Sequence, residues 1–462
     1  MTPFLLAAAL FISFASSSLL VPVVRRVALG HGWVDMPDDE RKKHAHPTPN
    51  VGGIAIVLGF AIGLISLLFI GKLFSVSLSL PHWAFFVGGL VIALLGVYDD
   101  VHGLSFKRKF FFQIVVAYLL LYAGYRIDVT GFPFIGTDPG FHALISIPLT
   151  VFWIVGIINA VNLLDGLDGL ASGVSIIAFA CLATIFGIQG GDIGIIAVAL
   201  LVIGATAGFL VFNFNPASIF MGDAGSLFLG YMLAMYSMQG SAHSHPLLAF
   251  FIPAVALGLP ILDTILCMFR RSIDGISPFS PDSDHIHHRL SKLWSTRGAV
   301  LILYAVSLWF GIAAILISQF ELVVGLLMVC VTMIAGFVGI STLGYLNLRQ
   351  IVTKKRKIEP QLALEFAQNG DQYEAEILDE NNLEVVSSDV SIPLASSHGG
   401  DGGAAFVRPA ADKVGADQFT SAKTNGHSSN DPNNGTPDRG RVTHPSTENE
   451  KREKLELIPP DQ

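Results

Sequence analysis

Charge is scarce in this sequence. Lys, Arg, Asp and Glu make up 14% of its 462 residues, against 52% hydrophobic. A soluble chain carries roughly a quarter charged residues, so the shortage excludes an ordinary soluble globular protein. Cysteine is nearly absent: Cys181, Cys267 and Cys330 lie inside apolar runs, and no CxxC pair occurs. That points away from a disulfide framework and a cysteine-based zinc site. The alternation of outer-membrane strands is missing too, which leaves helices as the way to satisfy the backbone in lipid. The first apolar stretch, residues 3–24, has no basic segment before it and is followed by Arg25 and Arg26. It reads as a retained first helix rather than a cleaved leader.

What the chain has instead is apolar runs, each about long enough to cross a ~30 Å hydrocarbon core. Eleven spans are expected, near 3–24, 51–71, 82–98, 110–126, 142–160, 168–189, 193–212, 225–240, 246–269, 298–319 and 322–346. The fold class is an all-α polytopic membrane protein. Two domains are expected: a transmembrane domain over residues 1–349 and a polar tail over 350–462. Stretches such as "KTNGHSSNDPNNGTPDRGR" hold too few apolar residues for a core, so the tail reads as mostly disordered. A short ordered stretch is allowed near "YEAEILDENNLEVV".

Lys and Arg set the orientation. Up to residue 350, fourteen lie in one set of loops and two, Lys72 and Arg126, in the other. The rich side is expected in the cytoplasm, with the N-terminus outside and the tail inside. Nearly all the unusual polar residues fall at that same face. Asp99 and Asp100 end the third span, followed by Lys107, Arg108 and Lys109. Asn159, Asn162, Asp165 and Asp168 stand three apart between the fifth and sixth spans. Asn213, Asn215, Asp223 and Ser226 lie between the seventh and eighth, Asp263 near the end of the ninth, and "DHIHHRL" at 284–290 beyond it.

Ionisable groups at membrane depth are expensive and usually functional. Capping by Asn or Asp explains one such residue, not four together. Carboxylates suit magnesium, which takes one or two of them plus substrate phosphates, and a nearby lysine can hold a phosphate. Asp284, His285, His287 and His288 can be read as a transition-metal cluster. The preferred reading is that these histidines and Arg289 bind a diphosphate. No Ser-His-Asp or Cys-His arrangement is present. Magnesium-assisted phosphoryl or diphosphate chemistry on a lipid substrate fits best.

The segments "VDMPDDERKKHAHPTPNVGGIAI", "YDDVHGLSFKRKFFFQ", "NAVNLLDGLDGLASG", "FNFNPASIFMGDAGSLFLG" and "DHIHHRL", in this order, resemble the polyprenyl-phosphate N-acetylhexosamine-1-phosphate transferases of glycosyltransferase family 4. The resemblance covers about residues 1–350. It implies transfer of a sugar 1-phosphate from a UDP-sugar to undecaprenyl phosphate with release of UMP, in the bacterial inner membrane, using Mg2+ or Mn2+. "HIHHRL" is more similar to the branch that uses UDP-N-acetylglucosamine and initiates O-antigen, enterobacterial common antigen or related lipopolysaccharide glycans. By resemblance, Asp223 is the metal ligand, Asp99 and Asp100 are the catalytic carboxylate pair with Asp99 as base, and His287 and His288 are catalytic. Lys109, Asn162, Asp165, Asp168, Asn213, His285 and Arg289 are expected to bind substrate. Asn50 departs from the family, where arginine is common, which puts a phosphate role at that position in doubt.

Two alternatives stay open within the class: another UDP-N-acetylhexosamine donor (N-acetylfucosamine or quinovosamine), or UDP-N-acetylmuramoyl-pentapeptide. The different-class rival is a transporter, but the polar residues have no matching outward half. No nucleic-acid partner is expected, and a homodimer is left open.

Overall fold

The computed structural model describes residues 2–36, 47–130, 132, 138–239, 245–273, 275, 285–340, 373–377, 386–387 and 405–409. It divides into two units, Met1–Arg356 and Lys357–Gln462.

In the first unit the apolar runs become helices: α1 (Thr2–His31), α2 (Gly53–Leu73), α3 (Trp83–His102), α4 (Phe106–Tyr122), α5 (Pro139–Leu164), α6 (Leu170–Ile188), α7 (Ile193–Asn213), α8 (Gly222–Ser237), α9 (Pro246–Ala256), α10 (Gly258–Ile273), α11 (Ile286–Leu293), α12 (Thr296–Ile317) and α13 (Leu322–Ile340). Eight are long and apolar enough to cross a membrane, and a ninth span arises if α9 and α10 count as one. The chain is therefore a multi-pass, all-α membrane protein. α4 and α8, expected to span, have 17 and 16 residues and fall short of that length among the described residues.

The stretch 246–269 is not one straight crossing. It breaks at Leu257 into α9 and α10, which meet at 80°. Hydropathy cannot show this, because both halves stay apolar enough to pass as one window. The reason lies in α10, whose first turn carries Pro260 and whose polar residues Asp263, Arg270 and Arg271 are buried within the protein.

α8 forms the axis. Every residue of it is buried except Asp223 in its first turn, and it packs against α3, α5 and α2. Two glycines let its first turn be approached closely. A Cβ on Gly96 of α3 would lie 2.5 Å from the Asp223 carbonyl oxygen and from Ala224 Cα, and one on Gly53 of α2 would collide with the Gly225 backbone. The segment before α2 is tied to the segment before α8 by a backbone ladder: Phe220 N to Pro49 O (2.8 Å), Gly52 N to Phe220 O (2.9 Å) and Gly53 N to Met221 O (2.8 Å). β1 (Val34–Asp35) and β2 (Thr48–Pro49) pair antiparallel beside it.

In the second unit, β3 (Tyr373–Ile377) pairs antiparallel with β4 (Val386–Ser387) and β5 (Ala405–Pro409), in the order β4-β3-β5. β5 falls in a stretch read as coil from composition. Its Ala-Phe-Val run forms the edge of this small sheet. The rest of the expected disordered tail lies outside the described residues.

Candidate active site

The last turn of α3 and the first turns of α4 and α8 converge at one end of the bundle. Lys109 of α4 sits between two carboxylates, its Nζ 3.0 Å from Asp99 Oδ2 and 2.7 Å from Asp223 Oδ2. Asp99 Oδ1 also accepts the Leu104 N–H, which closes the turn after α3. Asn162, in the last turn of α5, donates through Nδ2 to Asp223 Oδ1 (3.0 Å) and Ser226 Oγ (2.9 Å). Asp223 and Lys109 each keep about a fifth of their side-chain surface exposed. The cluster is therefore open to a ligand.

Asp100 behaves differently from its neighbour. Its two oxygens accept the N–H groups of Asp223 (2.7 Å) and Ala224 (3.0 Å). It caps the start of α8, where orphan amides and the helix dipole favour a carboxylate. Gly222 ahead of it has φ of +70°. Any side chain there would be strained and would also run into Asn50 O and the Asp100 carboxylate. Asn50 thus enters the site through its backbone carbonyl.

Asp165 closes the C-terminus of α5. Burial, helped by the nearby charges of Asp223 and Asp168, pushes its carboxyl up to about 7. Asp168 is engaged by the fold: its Oδ2 accepts from Asn215 Nδ2 (2.8 Å) and Ala217 N (3.0 Å). Asn213 is buried, accepting from Gly169 N and Ser172 Oγ and donating to Ile219 O, each at 3.1 Å. Asp168 and Asn213, expected as substrate contacts, brace the loop 214–221 that leads into Asp223. Two arginines complete the brace: Arg297 Nε donates to Asn215 O (2.8 Å) and Arg25 Nε to Ser218 O (3.1 Å). Both had been read only as topology signals.

The histidine segment reaches the site from the other side. His285 is buried, its Nδ1 3.0 Å from Asp263 Oδ2, while Asp263 Oδ1 accepts the Ile286 N–H at 3.1 Å. This holds the start of α11. Burial lowers the affinity of His285 for its proton, but the hydrogen bond and charge of Asp263 outweigh it, and the imidazole is pushed up to about 10. So His285 anchors the loop. His287 is buried with neither ring nitrogen hydrogen-bonded. It packs on Gly166, directly after Asp165, where a Cβ would strike its Nε2. Burial and the neighbouring His288 press its imidazole down to about 3, which keeps it neutral. His288 lies against it with the rings tilted by 46° and 4.3 Å between centroids, and the His285 ring stacks on it at 5.5 Å. Arg289 lies in the first turn of α11, and Asp284 lies outside the described residues.

The model for glycosyl transferase family 4 matches residues 82–241, which hold Asp99, Lys109, Asn162 and Asp223. The chain is 37% identical over 312 residues to the probable undecaprenyl-phosphate N-acetylglucosaminyl 1-phosphate transferase of Bacillus subtilis, covering 67% of this chain and 84% of that protein. The chain belongs to this family. It is also 37% identical over 317 residues to decaprenyl-phosphate N-acetylglucosaminephosphotransferase of Mycolicibacterium smegmatis, covering 63% of this chain and 76% of the relative. Against the undecaprenyl-phosphate alpha-N-acetylglucosaminyl 1-phosphate transferase of Salmonella typhi it is 30% identical over 318 residues, covering 65% and 80%.

For a glycosyl transferase family 4 protein the donor set bears on metal. No group of three His, Cys, Asp or Glu able to hold an ion occurs among the described residues. The described His285, His287 and His288 form no such group, and Asp284 of the same segment lies outside the described residues. Magnesium asks for less: one or two carboxylates, with substrate phosphates and water completing the shell. An ammonium already lies against Asp223 and Asp99, so the place suits a cation, and Asp223 fits as the protein ligand.

Two outcomes follow from the bracing contacts. Asp168→Ala deletes the acceptor of two loop hydrogen bonds, each about 1.5–3 kcal/mol when the acceptor is charged. The expected result is a melting temperature lower by several degrees in detergent, with turnover reduced rather than abolished. The second concerns pH. The folded pKa of His285 lies above its free value of ~6.5, so its contribution is fully present below ~6.5 and is lost as pH rises towards 10. Thermal melts of the parent are expected to fall across that window, and His285→Gln to flatten the slope.

Proposed function

We propose that the protein transfers N-acetylglucosamine-1-phosphate from UDP-N-acetylglucosamine to undecaprenyl phosphate, releasing UMP. The observation that carries this reading is the Asp99–Lys109–Asp223–Asn162 constellation at the ends of membrane helices. It sets a phosphate-holding cation beside two carboxylates at a place a membrane lipid and a soluble nucleotide can both reach. An oxygen of the lipid phosphate attacks the β-phosphorus of the UDP-sugar. The bond from that phosphorus to the bridging oxygen breaks, and UMP leaves with the bond electrons. Positioning and electrostatics dominate such phosphoryl transfers.

Lys109 holds phosphate oxygens once substrate enters between the carboxylates. Asn162 keeps Asp223 oriented. Asp99 accepts a proton from the lipid phosphate or orients it. Neutral His287, packed on Gly166, holds the Asp165–Gly166 turn beside the place of the diphosphate and sugar. Asp223 would hold Mg2+ or Mn2+, which when bound would supply charge neutralisation on the diphosphate. We place the site on the cytoplasmic side of a bacterial inner membrane, from the fourteen-to-two distribution of Lys and Arg.

The test is a donor panel with purified protein and undecaprenyl phosphate, scored for UMP release. UDP-N-acetylglucosamine is expected to lead UDP-N-acetylfucosamine, UDP-N-acetylquinovosamine and UDP-N-acetylmuramoyl-pentapeptide by at least about tenfold in kcat/KM. Chelation of divalent metal is expected to stop turnover and Mn2+ to restore it. A different donor in the lead would retain the chemistry and replace the substrate.

A further inference from the structure

At the end of the bundle opposite Asp223 lies a cavity of about 430 Å³, within the ~300–1,000 Å³ range of ligand sites. α4 and α8 both begin at the active site and end at this cavity, so the two are separated by roughly 25 Å, the length of a 17-residue helix. Its polar rim is Arg126 and Asp128, just beyond α4, and Gln239, just beyond α8. Its apolar wall is Pro246, Ala249, Phe250 and Pro253 of α9. These stand at i, i+3, i+4 and i+7, one stripe of a helix about 10 Å deep.

The polar groups in the wall differ in what they still need. Trp153 Nε1 donates to Ser237 Oγ (3.0 Å), which donates to Ala234 O (2.7 Å). Asp128 Oδ1 accepts the Thr130 N–H at 2.8 Å. Gln239 Nε2 is buried and makes no hydrogen bond of full geometry, although its side chain interacts with the neighbouring Tyr125 phenol. The cavity thus has the Arg126 guanidinium and the Gln239 side chain at the level where helices leave the membrane, and an apolar stripe running inward. That is the polarity profile of one phospholipid: phosphate at the rim, acyl chain below. The polyprenyl phosphate of the proposed reaction needs its phosphate at the other end, so it does not match this profile.

We propose that this cavity is a binding site for a membrane phospholipid of the leaflet facing away from the active site, with its phosphate on Arg126 and the Gln239 amide and an acyl chain along α9. The site rests on geometry at the opposite end of the bundle from the reaction. It holds whichever UDP-sugar is the donor, and only the naming of the leaflet borrows the proposed orientation.

The experiment is native mass spectrometry of the full-length protein released from detergent, after delipidation and addition of phosphatidylethanolamine. The parent is expected to retain one phospholipid. Arg126→Ala, Gln239→Leu and Ala249→Trp are each expected to lower that occupancy about tenfold, and Lys72→Ala, at the other basic site of the same end, to leave it unchanged. Each variant is checked by its melting temperature, and Gln239→Leu serves if the bulkier change does not fold. Equal retention by folded Arg126→Ala and Gln239→Leu overturns the proposal. So does failure of the parent to retain phospholipid. Displacement by undecaprenyl phosphate would make the cavity part of the acceptor route, and displacement by millimolar inorganic phosphate would make it an anion site only; either result also overturns it.

Discussion

Asp223→Asn is expected to lose at least about 10³-fold in turnover while the protein stays folded. The substitution removes one charge from the mouth of the site and no packing, because Asp223 is the one residue of α8 outside the buried axis. A lost metal ligand costs several kcal/mol of transition-state stabilisation, and ~4 kcal/mol is three orders of magnitude. Asp99→Asn is expected to be inactive for another reason. Lys109 stays with Asp223 in that variant, so the proposed metal ligand is retained while the proposed acceptor of the lipid phosphate's proton is weakened. The two separate on titrating Mn2+ by electron paramagnetic resonance with UDP-N-acetylglucosamine present. Asp223→Asn is expected to weaken Mn2+ binding and Asp99→Asn to leave it near the parent value. The reverse result would exchange the two roles, and no change in either would move the metal to Asp165 or the histidine segment.

Gly96→Val is expected to be nearly as damaging without touching a polar group. The added Cβ meets the backbone of Asp223 and Ala224 at 2.5 Å, so α3 and α8 must part. Overpacking of this kind costs about 1–3 kcal/mol. Parting the helices also breaks the two hydrogen bonds that the Asp223 and Ala224 N–H groups donate to Asp100, which fix the first turn of α8, and withdraws Asp99 from Lys109. A loss of at least about 10²-fold in kcat is expected, with a lower melting temperature. Gly156→Ala, whose Cβ would have nothing within 4 Å, is the matched control and is expected to match the parent. Parent-like activity in Gly96→Val would show that the α3–α8 contact does not set the site.

The spans were legible because lipid imposes one requirement, a continuous apolar run, and composition reports it directly. The break between α9 and α10 was not, since Asp263, Arg270 and Arg271 are buried against protein that hydropathy does not see. The convergence of Asp99, Lys109, Asn162 and Asp223 was legible from their shared side. Their division of labour was not. Spacing cannot tell that Asp100 takes backbone amides at α8, or that Asp168 and Asn213 hold the loop before it, because those partners are backbone and side-chain groups that only the fold brings together. Arg25 and Arg297 were hidden for the opposite reason. The charge rule already accounted for them, so nothing marked them as donors to Ser218 and Asn215. His287 stood out as one of three close histidines, yet its place over Gly166 depends on Asp263 and His285, which only the fold brings together.

The central claim is that the β-phosphate travels with the sugar. It is tested by supplying UDP-N-acetylglucosamine labelled with radioactive phosphorus at the β position to the purified protein with undecaprenyl phosphate and Mg2+, then partitioning the products. The account predicts label in the lipid phase, equimolar with transferred sugar, and unlabelled UMP in the aqueous phase. Label remaining in water as UDP while sugar enters the lipid would contradict it, since the enzyme would then be moving a sugar and not a sugar phosphate.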